Sequence, residues 1–236
     1  MRNIFPLLLG LLFIASLSTP ALANLSPEEN EWYKKLNNLK GNEQVIVVTT
    51  DNENVKSGIL AFYEKEKGVW KKVFPDIPVV IGKNGMTKNK KEGDGKTPSG
   101  VFPIGTAFGT GKKPASLKIP YRQATKYDYW VDDPSSPDYN RWIYYRRNPK
   151  KRWKSFERLA HPLYKHAIVI RYNDEPVVKG KGSAIFIHIW NKKSGHTLGC
   201  IATSETNVLK IMKALDQKKN PIIVISTKKE KLQMLK

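Results

Sequence analysis

Residues 196 to 204 read His-Thr-Leu-Gly-Cys-Ile-Ala-Thr-Ser, and Cys200 is the only cysteine of the 236-residue chain. A lone thiol has no disulfide partner within the chain, so it is either an inert buried side chain or a reactive one. His188 stands upstream, in Ile185-Phe186-Ile187-His188-Ile189-Trp190. Strand alternation places Phe186, His188 and Trp190 on one face and the three isoleucines on the other. An imidazole in so apolar a strand is either a core histidine satisfied by a carbonyl or a base. The short loop between them lets the two side chains meet. Ser204 is a helix cap, so a helix N-terminus soon after Cys200 would favour a thiolate. Gly199 admits close approach to the backbone. The N–H groups of Gly199 and Cys200 would then form an oxyanion hole. That is nucleophile, base and charge stabiliser for acyl transfer.

Chain order narrows the chemistry. All four histidines (161, 166, 188 and 196) precede Cys200, which excludes the papain-like order of Cys before His. Sortases place His first but need an Arg after the Cys, and no Arg follows position 200. His166 is an alternative base on a neighbouring strand, and His196 is a loop residue within reach of substrate. Gly95-Lys96-Thr97 is not a phosphate-binding loop, because Lys90 occupies the position of its first glycine. Asp132-Asp133-Pro134-Ser135-Ser136-Pro137-Asp138 lacks calcium-loop spacing and reads as a solvated turn. A thiol nucleophile needs neither metal nor organic cofactor, and no Cys/His cluster has zinc spacing, so neither is expected.

The elements that must position these residues are mostly strands. Ser26-Pro27-Glu28-Glu29 starts a helix with a capping box, running through Trp32, Leu36 and Leu39 to Gly41. Strands are expected at 44–50, in a hairpin of 58–63 with 68–74, and at 78–82, 166–172, 184–190 and 221–226. Between them, residues 82 to 105 read as a Gly- and Lys-rich loop. The aromatic, basic segment 121–165 is packing or a lid over a cleft. Val208, Ile211, Met212 and Leu215 mark a helix after Ser204. The tail, 228–236, reads as basic and frayed.

Arg2, the apolar run Leu7 to Leu17 and Ala21-Leu22-Ala23 resemble a signal peptide over residues 1–23. The run is short for a membrane span, and no later segment is long and apolar enough for one. The expected compartment is therefore extracytoplasmic: periplasm, cell wall or medium. With 41 Lys and Arg against 21 Asp and Glu, the formal charge is +20. Outside the cytoplasm, that charge points to an anionic wall or envelope polymer rather than nucleic acid.

The chain resembles the L,D-transpeptidase (YkuD-like) catalytic domain family. The family's His, a spacer and Ser/Thr-x-Gly-Cys are matched by His188 and Thr197-Leu198-Gly199-Cys200. Its Thr-Pro-x-Gly-x-Phe segment is similar to Thr97-Pro98-Ser99-Gly100-Val101-Phe102, and its His strand to Ala184–His188. Leu198 and Ala202 depart from the His and Arg common at those positions, and the spacer is short. The resemblance implies a mainly β, YkuD-like sandwich spanning residues 44–227, with a short helix after the Cys. The helical segment 24–43 would precede it. It implies two-step acyl transfer on peptidoglycan stem peptides through Cys200 and His188, forming 3→3 cross-links. Transfer to water instead would make the protein a carboxypeptidase. Thr197 and Gly199 would shape the loop, and Trp190 and His196 would line the substrate cleft. A second reading is a non-catalytic wall-binding protein that works by charge alone.

Overall fold

The computed structural model describes residues 25–191 and 195–235. The expected signal segment lies outside the described residues. Helix α1 (Pro27–Asn38) begins at Ser26, whose side chain accepts from Glu29 N–H while the Glu29 carboxylate accepts from Ser26 N–H. That reciprocal pair satisfies two backbone donors that a helix start leaves open. The first strand, β1 (Gln44–Thr50), pairs antiparallel with β2 (Ser57–Glu66). The latter continues through a hairpin into β3 (Val69–Val80). Residues 78–80, expected as part of a separate strand, are the far end of β3. The hairpin is simply longer than its apolar stretches suggested.

The expected loop 82–105 holds three strands. These are β4 (Met86–Thr87), β5 (Thr97–Pro98) and the long β6 (Gly100–Gly109). Parallel pairing of β4 with β5 pins the Lys-rich turn between them. The short β7 (Tyr121–Gln123) flanks β6. Residues 128–158 form a separate three-stranded sheet, with β8 (Asp128–Val131) between β9 (Arg141–Tyr144) and β10 (Glu157–Arg158). The main sheet resumes with β11 (Ala167–Ile170), β12 (Phe186–Ile189) and β13 (Ile201–Thr203). Helix α2 (Glu205–Ala214), β14 (Ile222–Thr227) and the single-turn α3 (Lys231–Met234) end the chain.

The main sheet runs β11-β12-β13-β3-β2-β1-β14-β6-β7, and β11 also pairs with β6, so it closes on itself. Central β1 is buried on both faces. Ile46 and Val48 join the inner core with Phe62, Ile187, Ile201 and Ile211. Val45 and Val47 pack outward against Trp32 and Leu36 of α1. The tail is docked rather than frayed: Leu235 is buried in that outer cluster, and Lys231 pairs with Glu28 at 2.8 Å. Among the described residues, no helix is long and apolar enough to cross a membrane.

Because Leu36 is fully buried between α1 and β1, Leu36→Ala is expected to cost about 3 kcal/mol through lost burial and the cavity left behind. Urea denaturation monitored by tryptophan fluorescence measures it. A loss under about 1 kcal/mol would mean the helix adds little to the domain.

Candidate active site

The loop before β13 is tied down by hydroxyls. Thr197 Oγ1 donates to the Cys200 carbonyl at 2.6 Å and accepts from Gly199 N–H at 3.1 Å. Thr97 Oγ1 reaches the same carbonyl at 3.4 Å and accepts from Gly82 N–H at 2.9 Å. Thr197 also exchanges main-chain hydrogen bonds with the end of β3, donating to Ile81 O and accepting from Lys83 N–H, both at 2.9 Å. Gly199 has φ +148°, where a side chain is strained. A Cβ there would stand 3.0 Å from Lys96 O and 3.4 Å from Lys90 Nζ.

Parallel pairing of Ile187 with Ile201 and His188 with Ala202 sets the rest. Partners in register share a sheet face, so Cys200, opposite Phe186, lies on the face that carries His188, one pleat away. Cys200 is 7% exposed. Its Sγ donates to Ala184 O at 3.1 Å and accepts from Phe186 N–H at 3.4 Å. Burial raises the thiol pKa well above its usual value. The Glu157 charge adds to the rise, while the Phe186 N–H and Lys90 oppose it. The resting residue is therefore a thiol.

His188 is buried, and its Nδ1 lies 2.8 Å from Ile189 O. A carbonyl only accepts, so Nδ1 carries the proton and Nε2 presents a lone pair, the tautomer a base requires. Burial lowers the imidazole pKa to about 4, against the hydrogen bond to Ile189, so the ring is neutral at pH 7. Tyr164 packs edge-on against it at 5.2 Å. Among the described residues, the thiol's hydrogen-bond partners are backbone groups, not the imidazole.

Cys200 lines a cavity of about 250 Å³ together with Ala184, Ile185 and Gly199. Its charged walls are Lys83 just before β4, Lys90 and Glu92 from the Lys-rich turn, Asp132 just after β8 and Glu157 of β10. Lys90 Nζ is held by Asp94 at 2.8 Å. Glu92 accepts from Tyr139 and Ser183 hydroxyls. Asp132 Oδ1 is buried without a hydrogen-bond partner, and burial raises its pKa. Glu157 is pushed up to about 7, chiefly by burial and by the charges of Asp132 and Glu92, while the Tyr164 hydrogen bond pulls it down. A larger open groove of about 730 Å³ runs past Trp130, Trp142 and Arg171, and neither Cys200 nor His188 lines it.

Several expectations need correction. Strand β13 separates Cys200 from α2, so the helix N-terminus lies beyond the strand and not at the sulfur. Gly199 N–H is committed to Thr197, which leaves Cys200 N–H as the oxyanion donor of the expected pair. Trp190 lines a different cavity with Val80, Asn191 and Gly195. His196 is half-buried, with Nδ1 3.3 Å from Thr197 O, and does not line the Cys200 cavity. His166 lies 3.8 Å from Glu205 of α2, also off that cavity. The Asp132-Asp133 turn is not simply solvated: Asp133 is buried, and Asp132 faces the sulfur's cavity. Sequence reasoning missed Lys90, Glu92, Glu157 and Tyr164. The only signal for them was the density of charge and aromatics in their segments.

Residues 43–224 match the model of the YkuD L,D-transpeptidase catalytic domain. The chain belongs to this family. Among solved structures, it is similar to the helical cell shape determining protein Pgp2 of Campylobacter jejuni, at 20% identity and TM-score 0.41. That match covers 85% of this chain and 55% of Pgp2. It is also similar to Bd1075 of Bdellovibrio bacteriovorus, at 14% identity and TM-score 0.38, over 82% of this chain and 53% of that one. The chain thus spans about half the length of these structures. No curated protein matches it.

Thr197→Val keeps the volume but removes both hydrogen bonds of the hydroxyl, leaving a buried N–H and a buried carbonyl poorly satisfied. A loss of about 2 kcal/mol or more is expected in denaturant titration. The raised thiol pKa predicts slow alkylation of Cys200 by iodoacetamide at pH 7, accelerating about tenfold per pH unit. Rates that are fast and level from pH 6 to 9 would contradict the neutral resting thiol.

Proposed function

We propose that the protein is a peptidoglycan L,D-transpeptidase that works through a Cys200 thioester outside the cytoplasm. The observation that carries this is the lone thiol at a cavity wall, on the sheet face of a neutral, tautomer-fixed His188. Substrate entering the cavity displaces the resting contacts of the thiol, and His188 Nε2 takes its proton. The sulfur attacks the carbonyl between the L-centre of the third, diamino acid residue of a stem peptide and its terminal D-Ala. Cys200 N–H holds the developing oxyanion. Lys90, beside Gly199, favours the thiolate during attack. The thioester then passes to the side-chain amine of a second stem, giving a 3→3 cross-link. Water as acceptor gives the carboxypeptidase outcome from the same intermediate.

Muropeptide analysis after incubation with purified tetrapeptide, alone and with an added amine, tests the reading. Dimers or amine adducts are expected from the wild type, and none from Cys200→Ala. A Cys200→Ala protein with the wild-type profile would rule out the thiol mechanism.

The formal charge of +20 favours a second, compatible reading, in which the protein adheres to anionic wall polymers. Wall retention would then fall steeply with salt and be indifferent to Cys200. Charge of this kind would tether the enzyme to its polymer.

A further inference from the structure

His188 does not line the sulfur's cavity, whereas Glu157 does, and of the carboxylates there it is the one bonded to a tyrosine that also packs on His188. Its carboxylate accepts a short hydrogen bond from Tyr164. The ring of that tyrosine is set edge-on against His188 and Phe186, at 5.2 Å and 5.6 Å. Tyr164 therefore stands between the imidazole and the carboxyl group and touches both. We infer that Glu157 is a second acid–base group of the reaction, held by Tyr164 as a positioning residue, and that it protonates the leaving amine. This rests on the acyl-transfer reading above and deepens it.

The division of labour balances. His188 takes the thiol proton as the C–S bond forms. The C–N bond breaks with its electron pair on nitrogen, and that nitrogen receives the Glu157 proton. In the second half, the incoming amine or water gives a proton to the Glu157 carboxylate as it bonds to carbon. The C–S bond breaks, and the sulfur recovers its proton from His188. The groups facing Glu157 suit the role. Burial keeps its proton on, helped by Asp132 and Glu92, Tyr164 favours its release, and Lys83 and Lys90 line other walls of the cavity. His161 packs on the Tyr164 ring at 5.7 Å.

The sign of each effect is fixed. Acylation needs protonated Glu157, so its rate falls as pH rises through that group's pKa, near 7. Tyr164→Phe keeps the ring on His188 and removes only the hydrogen bond that favours the carboxylate, so the descending limb moves to higher pH. Glu157→Gln donates no proton: the rate falls about a hundredfold and that limb disappears, while Glu157→Asp restores part of the rate and the limb.

Single-turnover acylation by tetrapeptide, followed by intact mass from pH 5 to 9, reads these outcomes. An unmoved limb in Tyr164→Phe, or a limb that survives Glu157→Gln, overturns the inference but not the thioester. Carboxyl carbon NMR of the Cys200→Ala protein gives a reading independent of turnover. Glu157 is expected to titrate near neutrality, and higher in the added Tyr164→Phe background. Titration below pH 5 overturns the inference whether or not substrate reacts, whereas a wild type that never acylates refutes the thioester reading itself.

Discussion

The site depends on one carbonyl. Two threonine hydroxyls, from Thr97 and Thr197, converge on Cys200 O. They belong to segments a hundred residues apart in sequence. Their convergence binds the β4–β5 clamp, the end of β3 and the Cys200 loop into one piece. Gly199 takes a backbone conformation that a side chain resists, so the loop has little freedom once the hydroxyls are engaged. Pairing of β12 with β13 then sets the sulfur and the imidazole on a common face. A thiol held this way pays its ordering entropy during folding rather than when a ligand arrives.

The electrostatics run against the bulk of the molecule. A chain of formal charge +20 lines the space beside its only thiol with three carboxylates and two lysines. Partly buried charges of this kind add little to stability, since desolvation and solvent screening consume most of the attraction. Their effect is on protonation instead. Burial, and then the Glu157 charge, hold Cys200 as a thiol, while Lys90 works the other way. Nucleophilicity is therefore low in the free protein. Such a resting state protects the thiol from adventitious oxidation, which follows thiolate character.

What was legible in the sequence was local. The Ser26–Glu29 capping box, the apolar run of β1 and the apolar spacing of α2 each declare themselves within a dozen residues. That His188 and Cys200 share a sheet face was legible because a single loop joins β12 to β13. What was not legible depended on distant segments. Strand β6 was hidden in a Gly- and Lys-rich stretch because, apart from the short β7, its partners are β14 and β11, both far along the chain. Glu157 and Asp132 reach the cavity because Trp130 of the three-stranded sheet, and Tyr164 in the turn that follows it, pack against Phe186. Trp190 failed as a cleft residue because β12 ends at Ile189, so strand alternation no longer governs its direction. The helix dipole failed because three strand residues intervene between Cys200 and the cap at Ser204.

The central claim is that Cys200 carries the acyl group. The most direct measurement is rapid-quench intact mass after mixing with stem tetrapeptide, followed by peptide mapping of the modified protein. The account predicts an adduct equal to the stem less D-Ala, on the peptide that contains Cys200, absent from Cys200→Ser at that position. An adduct on another residue, or D-Ala release with no adduct and no loss in the Cys200→Ser protein, would contradict it.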